Sequence, residues 1–271
     1  VGSVLRHVAA TLITPRFRRL ADDDVREKTP GELVTVADTE AEVAIAAALR
    51  GLLSGGEVVG EEAVAADPAL LDAARGGAVW LVDPIDGTSG FVDGSPDHAV
   101  MVALLDEGVT EAAWVLQPAH DRLWVAARGQ GVTVDGVPVG RAPAPSDPGK
   151  LRGIVKTRYV GGTQAELLRE RSSAFAAVDQ GPGAAGIEYP ALVAGDVDFV
   201  LYWRVLPWDH APGALLCTEA GACLSRLDGR PYEPWATATG LLVAADEATR
   251  KTVLATLDPD GALADLAELA G

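Results

Sequence analysis

Apolar residues along the chain fall into two rhythms that change over near its middle. Residues 3–20 place apolar positions at helical spacing around Arg6, Arg16, Arg18 and Arg19, which predicts an amphipathic first helix. Asp22-Asp23-Asp24 reads as solvated loop, Lys28-Thr29-Pro30-Gly31 as a turn, and residues 33–36 as a short extended piece. Ala41, Val43, Ala44, Ala46, Ala47 and Leu49 predict a long helix through Leu53, capped by Asp38 or Thr39 and stopped by Ser54-Gly55-Gly56. A short helix is expected at 68–75. Apolar runs of strand length stand at 58–59, 78–82, 100–105, 112–116, 123–127, 132–134 and 137–139. Asp106-Glu107-Gly108 and Asp135-Gly136 punctuate them as hairpin turns, so the middle of the chain reads as antiparallel sheet.

Residues 141–149, with Pro143, Pro145, Pro148 and Gly149, read as a connector. Beyond it strands and helices alternate. Strands are expected at 153–156, 199–202 and 241–244. Helices are expected at 163–177, before Gly195, at 209–220 with Gly221 as C-cap, and at 248–257. The pattern predicts an α+β part over residues 1–140 and an α/β part over 141–271.

Three apolar runs end in acids: Val58-Val59-Gly60-Glu61-Glu62, Leu81-Val82-Asp83-Pro84-Ile85-Asp86 and Leu206-Pro207-Trp208-Asp209. The central one reads as a strand that stops at Asp83-Pro84, because proline cannot donate to a sheet ladder. Gly87 then permits tight backbone, and Thr88 and Ser89 are good helix N-caps. Alone, Asp-Pro-x-Asp-Gly is equally a plain turn. Together, acids at several strand ends are what a shared hard-cation site needs. Mg²⁺ takes oxygen ligands and often bridges carboxylates to a substrate phosphate. Glu61, Asp83, Asp86 and Asp209 could not stay ionised side by side without such ions.

The chain has 271 residues, enough for one large or two medium domains, and a formal net charge of −17. That charge repels nucleic acid and anionic membranes. No apolar run approaches the ~18 residues of a membrane span. The first twenty residues lack the apolar core and cleavage site of a signal peptide. Cys217 and Cys223 lack the spacing of a zinc site, so a reducing cytoplasm is the expected compartment.

The ordered motifs resemble one family. They are Gly60-Glu61-Glu62, Asp83-Pro84-Ile85-Asp86-Gly87-Thr88, and Trp208-Asp209-His210-Ala211-Pro212-Gly213 with Glu219-Ala220-Gly221. With the hairpin region from Ala126 to Gly131, they are similar over nearly the whole chain to the inositol monophosphatase family of Mg²⁺-dependent, lithium-sensitive phosphomonoesterases. The resemblance implies a layered α-β-α-β-α sugar-phosphatase fold, with the site between the two parts, and a homodimer. It implies that two or three Mg²⁺ ions are held by Glu61, Asp83, the Ile85 carbonyl, Asp86 and Asp209. Glu61 and Thr88 would activate water, with Asp38 orienting Thr88. Gly87, Thr88 and Ser89 would meet the phosphate, and Lys28 would lie on a loop near the metals. Glu62 is expected to be only a solvated neighbour of Glu61, and His98 and His120 to be structural or surface residues. Trp208 matches a family tryptophan that packs near the site.

The chain departs from the family where substrate is chosen. Inositol-specific members carry a glutamate seven residues before the second-motif aspartate, and this chain has Tyr202 there, with Trp203 and Arg204 next. Gly90 and Asp93 replace residues that are commonly Asn and His. Ala184 and Glu188 fall on the loop that corresponds to a substrate-side segment, usually richer in Ser or Thr. The expected substrate is a small phosphorylated metabolite, inositol-phosphate-like or a sugar phosphate. The alternatives are a 3′-phosphonucleotide or histidinol phosphate, or a non-catalytic binding protein on the same fold. A Tyr202 and Arg204 that share one strand face would offer an aromatic surface and a fork for a second anion.

Overall fold

The structure, a computed structural model, describes residues 1–53 and 55–270, the side chains of 268–270 excepted. Ser54 of the expected helix stop lies outside the described residues. The strands are β1 (Val25–Thr29), β2 (Glu32–Thr35), β3 (Glu57–Gly60), β4 (Ala78–Asp86), β5 (Ala99–Asp106), β6 (Val109–Gln117) and β7 (Arg122–Ala127). They continue with β8 (Gly131–Val134), β9 (Val137–Val139), β10 (Arg152–Val155), β11 (Ala177–Asp179), β12 (Phe199–Val205), β13 (Cys223–Arg226) and β14 (Ala238–Ala244). The helices are α1 (Gly2–Val8), α2 (Val36–Arg50), α3 (Glu61–Ala66), α4 (Thr88–Val92), α5 (Gly162–Ser172), α6 (Ala185–Ala194), α7 (Pro207–Glu219), α8 (Glu247–Leu257) and α9 (Ala262–Ala270).

Strand alternation sorts side chains into five layers. Val100 and Val102 of β5 face α1 and α2, packing with Leu5, Ala41 and Ile45. Ala99 and Met101 face the other way, onto α6 and α7. On β12, Val200 and Tyr202 join that same central layer, while Phe199, Leu201 and Trp203 face α5, α8 and α9. The order is therefore helices, a seven-stranded sheet β3-β4-β5-β6-β7-β8-β9, helices α6 and α7, a five-stranded sheet β11-β10-β12-β14-β13, and helices. The first sheet is antiparallel except for β3 beside β4, and the second is mixed. The hairpin β1–β2 forms a separate small sheet. Glu219, at the end of α7, accepts from Gly129 N–H and Gly131 N–H at 2.9 Å each, tying the hairpin to that helix. Among the described residues no helix is long and apolar enough to cross a membrane.

Several elements differ from the sequence reading. The first helix is short. After α1 the chain widens into a π-turn over Ala9–Ile13, where Thr14 N–H bonds the Ala9 carbonyl five residues back. Helix α2 is capped by Thr35, not by Asp38 or Thr39, because Thr35 and Asp38 form a reciprocal capping box. Helix α5 stops at Ser172, whose hydroxyl donates back to the Leu168 carbonyl, and Ala177–Asp179 is an edge strand. Strand β4 does not stop at Pro84. Its pairing with β5 passes from Asp83↔Met101 to Asp86↔Ala99, so β4 gains one residue on its partner. Neither Thr88 nor Ser89 caps α4; that place is taken by Gly87, at φ 85°.

Candidate active site

The β4 bulge explains the spacing of its acids. In a regular strand residues three apart point to opposite faces; one extra residue brings both to the same side. Asp83 and Asp86 thus reach one cavity of about 400 Å³. Glu61 enters it from the start of α3, where β3 ends, and Asp209 from the first turn of α7, after Pro207. Ile85, Gly87, Thr88, Ser89, Lys28, Glu188, Tyr202 and Arg204 also line it. Asp38 is fully buried behind Thr88, whose Oγ1 lies 3.2 Å from Asp38 Oδ1 and 2.9 Å from the Ile85 carbonyl. The second Asp38 oxygen accepts from Thr35 N–H at 2.9 Å and Thr35 Oγ1 at 2.5 Å, which fixes the carboxylate. Ala184 does not line the cavity. It is fully buried beneath Gly87, and a Cβ on Gly87 would come within 2.8 Å of its Cβ, so Gly183 and Ala185 stand at the wall instead.

Two residues near Glu61 have more to do than the sequence showed. Lys28 Nζ donates to Glu61 at 2.6 Å and to Glu62 at 2.8 Å. Glu62 is therefore an ion-pair partner shielded from solvent, not a solvated neighbour. Burial works against the Lys28 charge, but Glu61 and Glu62 outweigh it and raise its pKa. Glu42, within α2, accepts from Glu62 N–H at 2.8 Å and Ala63 N–H at 2.9 Å, so it holds the start of α3. Gly60 is required there, since a Cβ would meet the Glu42 carboxylate at 2.3 Å. Glu42 lies in an alanine-rich helical run with no motif to mark it.

The opposite wall is polar and aromatic. Lys156 Nζ donates to the Gln180 carbonyl at 2.7 Å and to Glu188 Oε1. Tyr202 stacks on Tyr189 with centroids 5.1 Å apart and meets the His210 ring edge-on at 4.6 Å. Burial pushes the His210 pKa down to about 3, so the ring is neutral. Its Nε2–H donates to the Arg204 carbonyl at 3.2 Å, leaving Nδ1 to accept from Tyr189 Oη at 2.9 Å. Tyr202 and Arg204 both line the cavity, but Arg204 is already ion-paired with Glu32 on the β1–β2 hairpin and lies 4.6 Å from the Tyr159 ring centroid. Trp208 packs with Val59, Val79 and Leu81. His98 is buried between Phe17 and Phe91, and His120 pairs with Asp97 at 3.0 Å.

The donor set fits hard divalent cations. Among the described residues no three acidic, His or Cys side chains converge on one point as a ready-made cage. Mg²⁺ does not need one, because it keeps several waters and uses only one or two carboxylates besides substrate oxygens. Asp83 Oδ1 is buried with no hydrogen-bond partner among the described residues, as expected of an oxygen kept for another ligand. Burial, then Glu61, Asp86 and Asp209, raise the Asp83 pKa well above the carboxylate range. Burial and then Glu61 do the same to Asp209. Asp86 is pushed up to about 7 by burial, against a 2.6 Å hydrogen bond from Gly186 N–H.

A pH dependence follows for the metal-stripped protein. Asp83, Asp86 and Asp209 bind protons in the folded state that the unfolded chain has released. Their stabilising contribution is full below the unfolded value of ~3.9 and is lost as pH rises through about 7 for Asp86. In EDTA, the thermal midpoint should be lower at about pH 8 than at about pH 5.5, with Mg²⁺ raising it most at the higher pH. A midpoint in EDTA that is flat across that range contradicts these shifts.

Comparison with known proteins bears on the family and the fold. The sequence profile of the inositol monophosphatase family matches residues 3–260. An inositol-1-monophosphatase of Mycobacterium leprae is 35% identical over 252 residues, 89% of this chain and 84% of that protein. A histidinol-phosphatase of Mycobacterium tuberculosis is 35% identical over 180 residues, 64% of this chain and 69% of that one. The crystal structure of inositol monophosphatase II from Staphylococcus aureus has a TM-score of 0.83 at 21% identity, covering 99% of this chain and 96% of that one. The structural likeness carries the five-layered fold, and the profile carries the ancestry. The chain belongs to the inositol monophosphatase family, a family of phosphomonoesterases.

Proposed function

We propose that this protein hydrolyses a small phosphorylated metabolite, such as a sugar phosphate, with Mg²⁺ held at its acidic wall. The observation that carries the reading is the meeting of Glu61, Asp83, Asp86 and Asp209 in one cavity, with an Asp83 oxygen unpartnered. These four carboxylates and the Ile85 carbonyl are the proposed ligands of two or three ions. When bound, the ions neutralise the phosphate oxygens and lower the pKa of water. The chain's own residues then place and move the proton. A Thr88 hydroxyl that donates to Asp38 leaves its lone pairs free to accept from the attacking water. Asp38, pushed up to about 7 by burial, suits a proton acceptor at neutral pH. Gly87 and Thr88 N–H groups, with Ser89, would hold the phosphate. Lys28 keeps Glu61 in position.

A 3′-phosphonucleotide or histidinol phosphate is the second reading. It has one observation in its favour: Tyr159, 44% exposed, lines the cavity beside Arg158 and Arg204, whose guanidinium carbons lie 5.3 and 4.6 Å from its ring centroid, so a planar ring would meet an aromatic and cationic surface there.

LiCl should inhibit turnover more than KCl at matched ionic strength, because Li⁺ resembles Mg²⁺ in size with half its charge. An equal response to the two salts up to high millimolar would count against the Mg²⁺ site. The substrate is tested by kcat/KM for myo-inositol 1-phosphate beside sugar phosphates, histidinol phosphate and 3′-phosphonucleotides. Sugar phosphates should equal or exceed inositol 1-phosphate, because position 202 lacks the carboxylate that accepts from inositol hydroxyls. An inositol phosphate preference of about tenfold or more would overturn this.

A further inference from the structure

Asp86 is held by a helix from the other half of the chain. Helix α6 starts without a side-chain cap of its own, because Ala184 has no oxygen to offer the free N–H groups of the first turn. The Asp86 carboxylate takes that place from 100 residues earlier. Its Oδ2 accepts from Gly186 N–H at 2.6 Å, and Ala185 N–H bonds the same carboxylate. The positive end of α6 therefore rests on a proposed metal ligand. The approach is close enough to require glycine. A Cβ on Gly186 would lie 2.5 Å from Ala99 Cβ, 3.1 Å from Met101 Sδ and 3.2 Å from Asp86 Oδ2.

The same glycine is gripped from its other side. Gln117, the last residue of β6, is 5% exposed. Its Nε2 donates to the Gly186 carbonyl at 2.8 Å, and its Oε1 accepts from Trp124 Nε1 at 3.3 Å. An indole can only donate, so Trp124 sets which end of the amide faces Gly186. The run Trp124–Gln117–Gly186–Asp86 thus carries hydrogen bonds from β7 and β6, through the first turn of α6, to the acidic wall. A carboxylate that binds metal is oriented by its own hydrogen-bond partners, and losing one weakens binding by about 10–100-fold. We infer that Gln117 is a positioning residue: by holding Gly186 it fixes the Asp86 carboxylate for the bound cation. It also holds the α6 turn whose Ala185 and Glu188 line the cavity. The inference rests on the Mg²⁺ reading above.

The rise of the thermal midpoint with MgCl₂, from the metal-stripped protein upward, reads Mg²⁺ affinity without turnover. Gln117→Met keeps the length of the side chain but has no N–H to give. Its Mg²⁺ Kd should rise by at least ~10-fold. The Mg²⁺ concentration at half-maximal phosphate release should rise with it, while kcat at saturating Mg²⁺ falls less. Gln117→Asn keeps a buried amide but is one methylene too short to reach both Trp124 and Gly186. It should raise Kd as well, and it serves where the Met variant does not fold. Trp124→Phe is the control. It removes the far hydrogen bond and core contact but leaves Gln117 able to donate to Gly186, so it should lower the midpoint in EDTA and keep the wild-type Kd. A wild-type Kd in a folded Gln117 variant, or an equal rise in Trp124→Phe, overturns the inference and leaves the Mg²⁺ reading standing. No Mg²⁺-dependent rise in the wild-type midpoint, with no Mg²⁺-dependent phosphate release, overturns both.

Discussion

Asp83→Asn should lower kcat/KM for any substrate of this protein by at least ~10², equivalent to ~2.7 kcal/mol of transition-state stabilisation. Asp83 is the most crowded of the acids: its carboxylate is fully desolvated and faces Glu61, Asp86, Asp209 and Asp38. An amide keeps the shape of the side chain but removes the charge that a divalent ion needs. The fold should survive. Removing one of several mutually repelling charges relieves the metal-free site, so the thermal midpoint in EDTA should equal or exceed wild type. Mg²⁺ should then raise the variant's midpoint less than it raises that of the wild type. Wild-type turnover in Asp83→Asn would remove Asp83 from the proposed ligand set.

Gly213→Ala should give the largest loss of stability from the smallest change. Gly213 lies on α7 under the Tyr189 ring, and an added Cβ would sit 2.0 Å from Tyr189 Cδ2 and 2.2 Å from Cγ. The ring cannot step aside: it is fully buried, stacked on Tyr202 and hydrogen-bonded to His210. Overpacking of this kind costs ~1–3 kcal/mol or more, against a helix-propensity gain for alanine of ~1 kcal/mol. A net loss of about 1–2 kcal/mol corresponds to a midpoint lower by roughly 2–8 °C in a chain of this size. Because Tyr189 carries Tyr202 with it, kcat/KM should fall as well. A variant as stable as wild type would mean that the α6–α7 packing is looser than described.

How much of this was legible in the chain depended on how local each cause was. Glu61, Asp83, Asp86 and Asp209 each follow an apolar run, and that grammar located the acidic wall. The β4 bulge was not legible. Pro84 reads as a strand end, and only the partner strand shows that pairing resumes at Asp86. The Thr35 cap was written in the sequence as Thr-x-x-Asp, but Asp38 and Thr39 are equally good cap types by composition. Its consequence, an Asp38 fixed on one oxygen and turned to Thr88 with the other, is tertiary. Glu42 carries no motif in its alanine-rich helical run; β3 and Gly60 bury it. Lys156 closed an expected strand with nothing to mark a partner, and Glu188 comes from 32 residues further on. Long-range pairs of this kind leave no periodic trace.

Phosphate release from a sugar phosphate, measured after metal stripping, tests the metal-dependent reading most directly. With EDTA present, release should fall to the uncatalysed background. Added Mg²⁺ should restore it along a saturable curve, because the carboxylates that line the cavity cannot hold or orient an anionic phosphate without cations. Full turnover in EDTA by wild-type protein would contradict a catalytic role for bound metal at Glu61, Asp83, Asp86 and Asp209.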